Sequence, residues 1–343
     1  MIFFTKQIHL HLADRIERGY YIKPIFKYQR PPGVFMRFLF FWPRASTRKF
    51  IREAWKTPSY SFSQWLHGYM YARWTYAYIK IGTGRHALAP IITRLYSTLH
   101  RLTCKKNTNS RRSTAKIEFS NTYHGKVIAL GEAKKLVTVN IPITIEDLEQ
   151  VIPYERARSI ILKNPDHIVV LDCPCRVTSP NPCFPVDVCL IIGEPFASFV
   201  LDHHPENCRA ITGHEAIKIL EQEHQRGHVH HAFFKDAMLN RFYAICNCCS
   251  CCCGAIQAWN HNTPMLASSG YVVDRVQERC LMCGLCVPVC QFNALYLLED
   301  NIQIDREKCM GCGVCISKCP HKALELKRDM HRGTPLEVQK LTS

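Results

Sequence analysis

The sequence predicts an α+β chain in three parts. A helical, basic and aromatic arm spans residues 1–103, an α/β cysteine-rich module spans 117–269, and a small C-terminal domain spans 270–328, with a linker at 104–116 and a tail at 329–343. Three observations carry this division. Positive charge gathers at one end, because residues 1–116 hold 22 Lys/Arg against the three acids Asp14, Glu17 and Glu53, while residues 117–343 hold 22 bases against 25 acids. Cysteine gathers at the other, since nineteen of twenty lie between Cys173 and Cys319 and the arm has only Cys104. Between them, short β-type runs alternate with segments of helical spacing.

With 47% hydrophobic and 21% charged residues the composition is that of a globular chain, which excludes wholesale disorder. The best apolar run, Val34 to Trp42, is interrupted by Arg37, so no bilayer-spanning helix is expected. Met1-Ile-Phe-Phe-Thr-Lys6 is not built like a secretory signal, which makes the cytoplasm the expected address.

In the arm, residues 60–81 suit a helix. Trp65, Tyr69, Ala72, Tyr76 and Ile79 form one stripe, and Phe62, Leu66, Met70 and Trp74 fill a neighbouring one. Such a helix must be covered. Arg73 and Lys80 share a face, and Phe38 to Trp42 is flanked by Arg37 and Arg44, a composition that suits a peripheral membrane surface. The same aromatics equally suit packing on the cysteine-rich body or docking on an acidic redox partner protein. Nucleic acid is the least favoured partner, because no recognition motif accompanies the basic and aromatic residues. Residues 104–116 are polar and basic without periodicity, as a linker would be.

In the middle module, Val137-Thr-Val-Asn-Ile141 predicts a strand, and Thr144 with Asp147 a helix cap. A second helix is expected from Pro153 through Ala157, Ile160 and Ile161, stopped by Asn164-Pro165. His167 to Leu171 predicts a buried strand running into Asp172-Cys173-Pro174-Cys175-Arg176. Val188 to Ile192 and Phe242 to Ile245 predict two more strands, and Glu215 to Arg226 a helix closed by Gly227.

Ten cysteines of this module are candidate ligands: Cys173, Cys175, Cys183, Cys189, Cys246, Cys248, Cys249, Cys251, Cys252 and Cys253. A reducing compartment argues against a disulfide scaffold and for metal ligation. Six thiols within eight residues cannot all bind one ion with unstrained geometry, so more than one centre, or cooperation with the Cys173 group, is expected. The competing readings are a redox-active dithiol set and buried inert thiols. Pro174, Pro180, Pro182 and Pro185 make the first group's loop rigid. His203, His204, His214, His224, His228, His230 and His231 also crowd together, with His228 and His230 on one strand face opposite His231; metal binding and ordinary hydrogen bonding both remain open.

The C-terminal spacing is specific. Cys280, Cys283, Cys286 and Cys290 form C-x2-C-x2-C-x3-C, and Cys309, Cys312, Cys315, Cys319 and Pro320 repeat it with the terminal proline. Three thiolates on one turn plus a remote fourth match an iron–sulfur cubane rather than a zinc site built from two separated pairs. Over residues 270–328 the chain resembles the bacterial dicluster ferredoxins. The resemblance implies two [4Fe–4S] clusters with crossed fourth ligands: Cys280, Cys283, Cys286 and Cys319 for cluster one, and Cys309, Cys312, Cys315 and Cys290 for cluster two. Gly284, Gly311 and Gly313 fall between ligands, and Gln291 departs from the proline expected after Cys290. Ala294-Leu-Tyr-Leu, Ile302-Gln-Ile and Ala323-Leu-Glu-Leu alternate like short strands. Together with Cys-Pro-Cys-Arg and the run from Cys246 to Gly254, the wording resembles ferredoxin-fused proteins of anaerobic bacteria, a resemblance that implies no particular substrate.

The expected function is single-electron transfer through two [4Fe–4S] clusters and an additional cysteine-ligated iron–sulfur cluster or metal, with the arm docking the chain. A different class, a reductase with a catalytic metal centre in the middle module fed by the C-terminal domain, uses the same residues. A third, a sensor or scaffold, would lose binding rather than cycle electrons on oxidation. No Gly-x-Gly-x-x-Gly run or phosphate loop points to a flavin or nicotinamide.

Overall fold

Ser61 opens the arm helix that begins at Phe62 through a capping box: its side chain accepts from Gln64 N–H, and Gln64 Oε1 accepts from Ser61 N–H at 2.8 Å. In the computed structural model the described residues are 43–92, 94, 95, 98, 123–145, 160–299 and 301–338, and all but Pro43 belong to the unit Arg44–Ser343. The expectations on Val34 to Trp42, the 104–116 linker, Asp147, and Pro153 with Ala157 lie outside these residues.

Helices α1 (Ala45–Lys56), α2 (Phe62–Arg73) and α3 (Thr75–Gly82) come first. The continuous helix expected over 60–81 is broken at Trp74, whose ψ of 42° leaves helical geometry. The break lets α2 pack beside the helix at 196–203 while α3 turns to the short helix at 174–177. No described helix is long and apolar enough to cross a membrane.

The body continues with β1 (Tyr123–Ile128), α4 (Leu130–Thr138), β2 (Ile143–Ile145), β3 (Ile160–Asp172), α5 (Pro174–Val177), β4 (Asp187–Glu194), α6 (Phe196–His203), β5 (Cys208–Ile211), α7 (Gly213–Gln225), β6 (Val229–Lys235), β7 (Arg241–Cys248), α8 (Gly254–Asn260) and β8 (Leu266–Ala267). The sheet runs β2-β3-β4-β7-β6-β1-β8 with β5 also paired to β3. Every pairing is antiparallel except β1 with β8.

Three local expectations are corrected. Val137 and Thr138 end helix α4 instead of starting a strand, because Ala133, Leu136 and Val137 lie at helical spacing and bury together. Thr144 pairs with Ile161 in β2 and is not a cap. Ile160 and Ile161 are strand, and β3 runs through Asn164-Pro165. The pairing with β4 shifts register between Lys163 and Ile168, so the proline falls in an irregularity and removes no ladder bond there.

Alternation along the strands sorts two cores. Ile168, Val170, Leu190, Ile192, Ala232, Phe234 and Ile245 bury beneath α4 and α7, through Ala133, Leu136, Ala216 and Leu220. Val169, Leu171, Ile191, Phe233 and Ala244 bury on the other face beneath α6 and the arm, through Phe196, Phe199, Phe50, Tyr71 and Ala72. The arm helices thus supply part of the sheet's second cover. Tyr243 sits at an irregularity between the Phe233–Ala244 and Phe234–Phe242 pairs, and its hydroxyl meets that of Tyr71 at 2.9 Å. Gly68 is needed at this junction, because a Cβ there would lie 1.9 Å from the Ala237 carbonyl oxygen.

Of the arm's two stripes, Trp65, Tyr69, Tyr76 and Ile79 pack against this core, whereas Phe62, Leu66, Met70 and Trp74 stay exposed, as does Trp55. Arm acids and bases are also used: Glu53 Oε2 accepts from Lys163 at 2.6 Å, and Lys49 lies 3.2 Å from Glu194.

The C-terminal part pairs β9 (Tyr271–Arg275) with β12 (Leu324–Arg328) and β10 (Leu295–Leu298) with β11 (Asn301–Ile304), with α9 (Val314–Ser317) between β11 and β12. Val272, Val273, Ala294, Leu295, Ile302 and Leu324 make its small core together with Cys286, Cys309 and Cys315.

Candidate metal centres

The C-terminal cysteines lie on turns that the paired strands hold in place. Cys280, Cys283 and Cys286 follow β9 and Cys290 precedes β10; Cys309, Cys312 and Cys315 follow β11 and Cys319 precedes β12. Gly311 has φ of +63°, and a Cβ there would come within 2.1 Å of the Tyr271 carbonyl oxygen, so no other residue lets the turn pass the strand. The N–H groups of Ala294 and Ala323 point at Cys290 Sγ and Cys319 Sγ, each at 3.3 Å and each four residues past its sulfur. Val273 N–H points at Cys309 Sγ at 3.4 Å. N–H donors aimed at sulfur are the contacts that ligating cysteines of an iron–sulfur cluster accept.

Charge interactions separate these eight thiols into two groups. Burial pushes Cys286 up, and Cys280, Cys319 and Cys283 push it further. Burial raises Cys315 strongly, with Cys312, Cys290 and Cys309 adding and Cys286 last. Cys312 is raised to about 12, by burial first and then by Cys290 and Cys309. Cys319 thus lies near Cys286, and Cys290 near Cys312 and Cys315, with Cys286 also within reach of Cys315. Two groups of four soft ligands, with N–H donors and glycine turns around them, fit iron–sulfur clusters. The first group lies outward, with Cys283, Leu281 and Leu285 exposed. The second faces the body: Phe292, Met310 and Val314 are buried in the arm-side core, and Cys290 and Cys312 pack against it.

In the middle module the ten cysteines divide. Cys183, from the loop before β4, meets Cys249, Cys251 and Cys252, from the turn after β7, and all four sulfurs lie within 4.8 Å of one another. Cys183 Sγ is 3.0 Å from Cys251 Sγ and 3.8 Å from Cys249 Sγ. A tetrahedral ion with metal–sulfur bonds of about 2.3 Å spaces its ligands about 3.8 Å apart, so this group suits a single ion. Cys249 is lowered to about 5, chiefly by its hydrogen bond with Cys183, with Cys251 and the Arg176 charge helping and burial opposing. A thiolate ready at neutral pH is what a metal requires. The other six, Cys173, Cys175, Cys189, Cys246, Cys248 and Cys253, lie on the arm-side face, where Cys189 Sγ is 3.7 Å from Cys246 Sγ.

Arg176 stands between the two sets. Its guanidinium, 1% exposed, donates to Glu223 at 2.5 Å and to the Asn247 carbonyl at 3.0 Å, and it also reaches Pro185 O. Its charge acts on both Cys173 and Cys249. Glu223 also bonds His228 at 2.7 Å and Arg226 at 3.0 Å, so the buried ions neutralise one another.

Three of the crowded histidines make ordinary hydrogen bonds within the fold. His204 Nε2 meets Ala72 O at 2.7 Å, His203 Nε2 meets Thr47 Oγ1 at 3.0 Å, and His230 Nδ1 meets Asn247 Oδ1 at 2.6 Å. Among the described residues none joins the four-sulfur group.

Sequence reasoning missed three residues that organise the sites. Arg85 donates to Cys175 O at 3.0 Å and to Cys252 O at 3.1 Å, so the arm grips both thiol sets. Arg176 was visible only as part of Cys-Pro-Cys-Arg. Gln291, which replaces a turn proline, accepts from Ser250 N–H at 2.7 Å and donates to Gly227 O at 2.9 Å. Its neighbour Cys290 belongs to the inner C-terminal group and Ser250 lies between Cys249 and Cys251, so one amide joins the two sites. The missing proline after Cys290 was the available signal.

A family model described as a 4Fe-4S dicluster domain matches residues 279–323. Comparison with curated proteins gives no match. The family match covers the C-terminal cysteines and supports iron–sulfur chemistry, and with it electron transfer, for that part of the chain.

Proposed function

We propose that the chain relays single electrons through two [4Fe–4S] clusters and exchanges them with a cysteine-held centre in the middle module. Cys280, Cys283, Cys286 and Cys319 hold the outer cluster, and Cys309, Cys312, Cys315 and Cys290 the inner one. Clusters of this kind take up and release one electron at a time. The observation that carries the reading is the position of the inner group: Cys290 and Cys312 pack on the arm-side core, and Gln291 ties it to the turn of Cys249, Cys251 and Cys252. Cys183 and those three cysteines bind one further ion, iron for relay or zinc for structure. The outer group, with Leu281 and Leu285 beside it, meets the redox partner protein. The exposed Trp55, Phe62, Leu66, Met70 and Trp74 stripe docks on a partner or an anionic membrane surface.

EPR of the reduced, anaerobically purified chain tests the ligand sets. Cys319→Ser should alter the same signal as Cys283→Ser and spare the one altered by Cys312→Ser. Matching effects of Cys319→Ser and Cys312→Ser would refute the pairing.

The alternative, a reductase, is favoured by one feature. A mostly apolar cavity of about 80 Å³, lined by Tyr71, Thr75, Tyr243 and His204, opens on the middle thiols. A catalytic centre there would change its spectrum on adding cyanide or carbon monoxide, whereas a relay saturated by protein ligands would not.

A further inference from the structure

The six thiols left over once the Cys183 group is set aside are not scattered through the core. They come from the end of β3 (Cys173), α5 (Cys175), β4 (Cys189), β7 (Cys246 and Cys248) and the residue before α8 (Cys253). Cys246 lies against Cys189, Cys189 against Cys173, Cys173 against Cys175, Cys175 against Cys253, and Cys253 against Cys248. Cys248 and Cys246, two apart on one strand, share a face and interact, which closes the circuit. Cys173, Cys189, Cys248 and Cys253 are buried and the other two half-buried. All six line the same cavity, whose remaining wall is mainly apolar: Ile79, Leu171, Ile191, Phe196 and Phe233.

This is a different object from the Cys183 group. Among the described residues only that group has its ligand atoms all within 4.8 Å of one another. The six sulfurs neighbour one another along one cavity wall but do not converge on one point, so a single ion cannot gather them at about 2.3 Å. A multi-iron core, with its irons and sulfides lying between the thiolates, can. An inert packing role is a poor alternative, since any small apolar side chain would serve it and nothing in it calls for six thiols on one cavity wall.

We propose that Cys173, Cys175, Cys189, Cys246, Cys248 and Cys253 hold a polynuclear iron–sulfur cluster at the cavity wall, separate from the ion of the Cys183 group. This deepens the electron-transfer reading by placing a further cluster beyond the inner one.

Iron, zinc and acid-labile sulfide counts on the anaerobically purified full chain test it. The expected wild-type content is about twelve irons and twelve sulfides per chain beyond the single ion of the Cys183 group. Cys189→Ser combined with Cys246→Ser should remove about a third of the iron and sulfide while both ferredoxin-type EPR signals persist. Cys249→Ser combined with Cys251→Ser should remove one ion and no sulfide. A wild-type count of about eight irons and eight sulfides beyond the single ion would overturn the proposal whether or not the variants fold. So would disulfides among the six thiols in mass-spectrometric mapping of the native chain. Failure of the electron-transfer reading is distinct, because it shows as missing ferredoxin-type signals and not as iron and sulfide insensitive to the Cys189 and Cys246 substitutions.

Discussion

In the C-terminal domain three of the four sulfurs in each group come from one short turn, Cys280 to Cys286 or Cys309 to Cys315. In the middle module, Cys183 and Cys249 meet across 66 positions of sequence, and the six-thiol circuit draws on β3, α5, β4, β7 and the start of α8. The first arrangement is local and needs only two small hairpins and glycine turns to aim it. The second exists only while the large sheet, its α7 cover and the arm hold their places. Perturbations of packing should therefore damage the middle sites while leaving the C-terminal groups in place, and perturbations at the junction should separate the two.

The largest effect of this kind is expected at Arg176. Arg176→Met removes the cation that faces Cys173, Cys249 and Glu223, a site 1% exposed. Breaking a buried pair by removing one partner costs about 3–5 kcal/mol, and the low end applies because Arg226 and His228 still bond Glu223. Denaturant unfolding should show a loss of about 3 kcal/mol for the middle module, with the C-terminal cluster absorption retained at denaturant concentrations that expose the middle thiols to alkylation. Simultaneous loss of both would show that the two regions unfold as one unit.

A smaller effect is expected at the junction. Gln291→Ala leaves Ser250 N–H and Gly227 O without the amide that served them. That should cost about 1–3 kcal/mol and slow electron equilibration between the inner cluster and the middle module. Metal content should not change. An unaltered exchange rate in pulse-reduction kinetics would show that Gln291 holds the domains together without serving the relay.

The smallest and most graded contrast is in pH. Burial lowers His230 from 6.5 to about 4 and His231 from 6.5 to about 3. Between pH 6.5 and 4 the unfolded chain therefore binds protons that the folded sheet refuses, and stability must fall as pH drops through that window. Glu223 acts in the same direction lower down. Bonding to His228 and the Arg176 charge outweigh burial and lower it below 4.5, so its contribution is present above that value and lost beneath it. In the C-terminal domain, by contrast, His321 and His331 are exposed. Protection factors, which are exchange rates corrected for the intrinsic slowing with acid, should thus fall in β6 and β7 before β9 and β12 as pH drops from 6.5 to 5. Equal loss of protection in both would remove the distinction.

Several elements could be read without a structure because their determinants are neighbours in sequence. The cysteine repeats are spaced by single turns, Val188 to Ile192 and Phe242 to Ile245 are strands, and Gly227, at φ +90°, closes the helix that ends at Gln225. Other elements were misread where a long-range contact overrode local preference. Ile160 and Ile161 suit a helix by spacing but take their strand conformation from pairing with β2, and Val137 joins a helix because the sheet offers Leu136 and Val137 a common surface.

The arm shows most directly what each level decides. Periodicity alone identified two apolar stripes on α2 and its continuation, one through Trp65 and Tyr69 and the other through Phe62 and Leu66, but nothing local says which of them faces inward. The body does, because α6 and β7 present Phe196, Phe199 and Tyr243 to one stripe, while among the described residues the other stays exposed. The cysteines follow the same rule. Residue types and spacing determined that sulfur ligands were present, and for the C-terminal turns which sulfurs are close, because a few backbone dihedrals set those distances. Which of the ten middle cysteines share a site was decided only when strands distant in sequence were brought edge to edge, since chain separation says nothing about distance once a sheet has closed the loops between them.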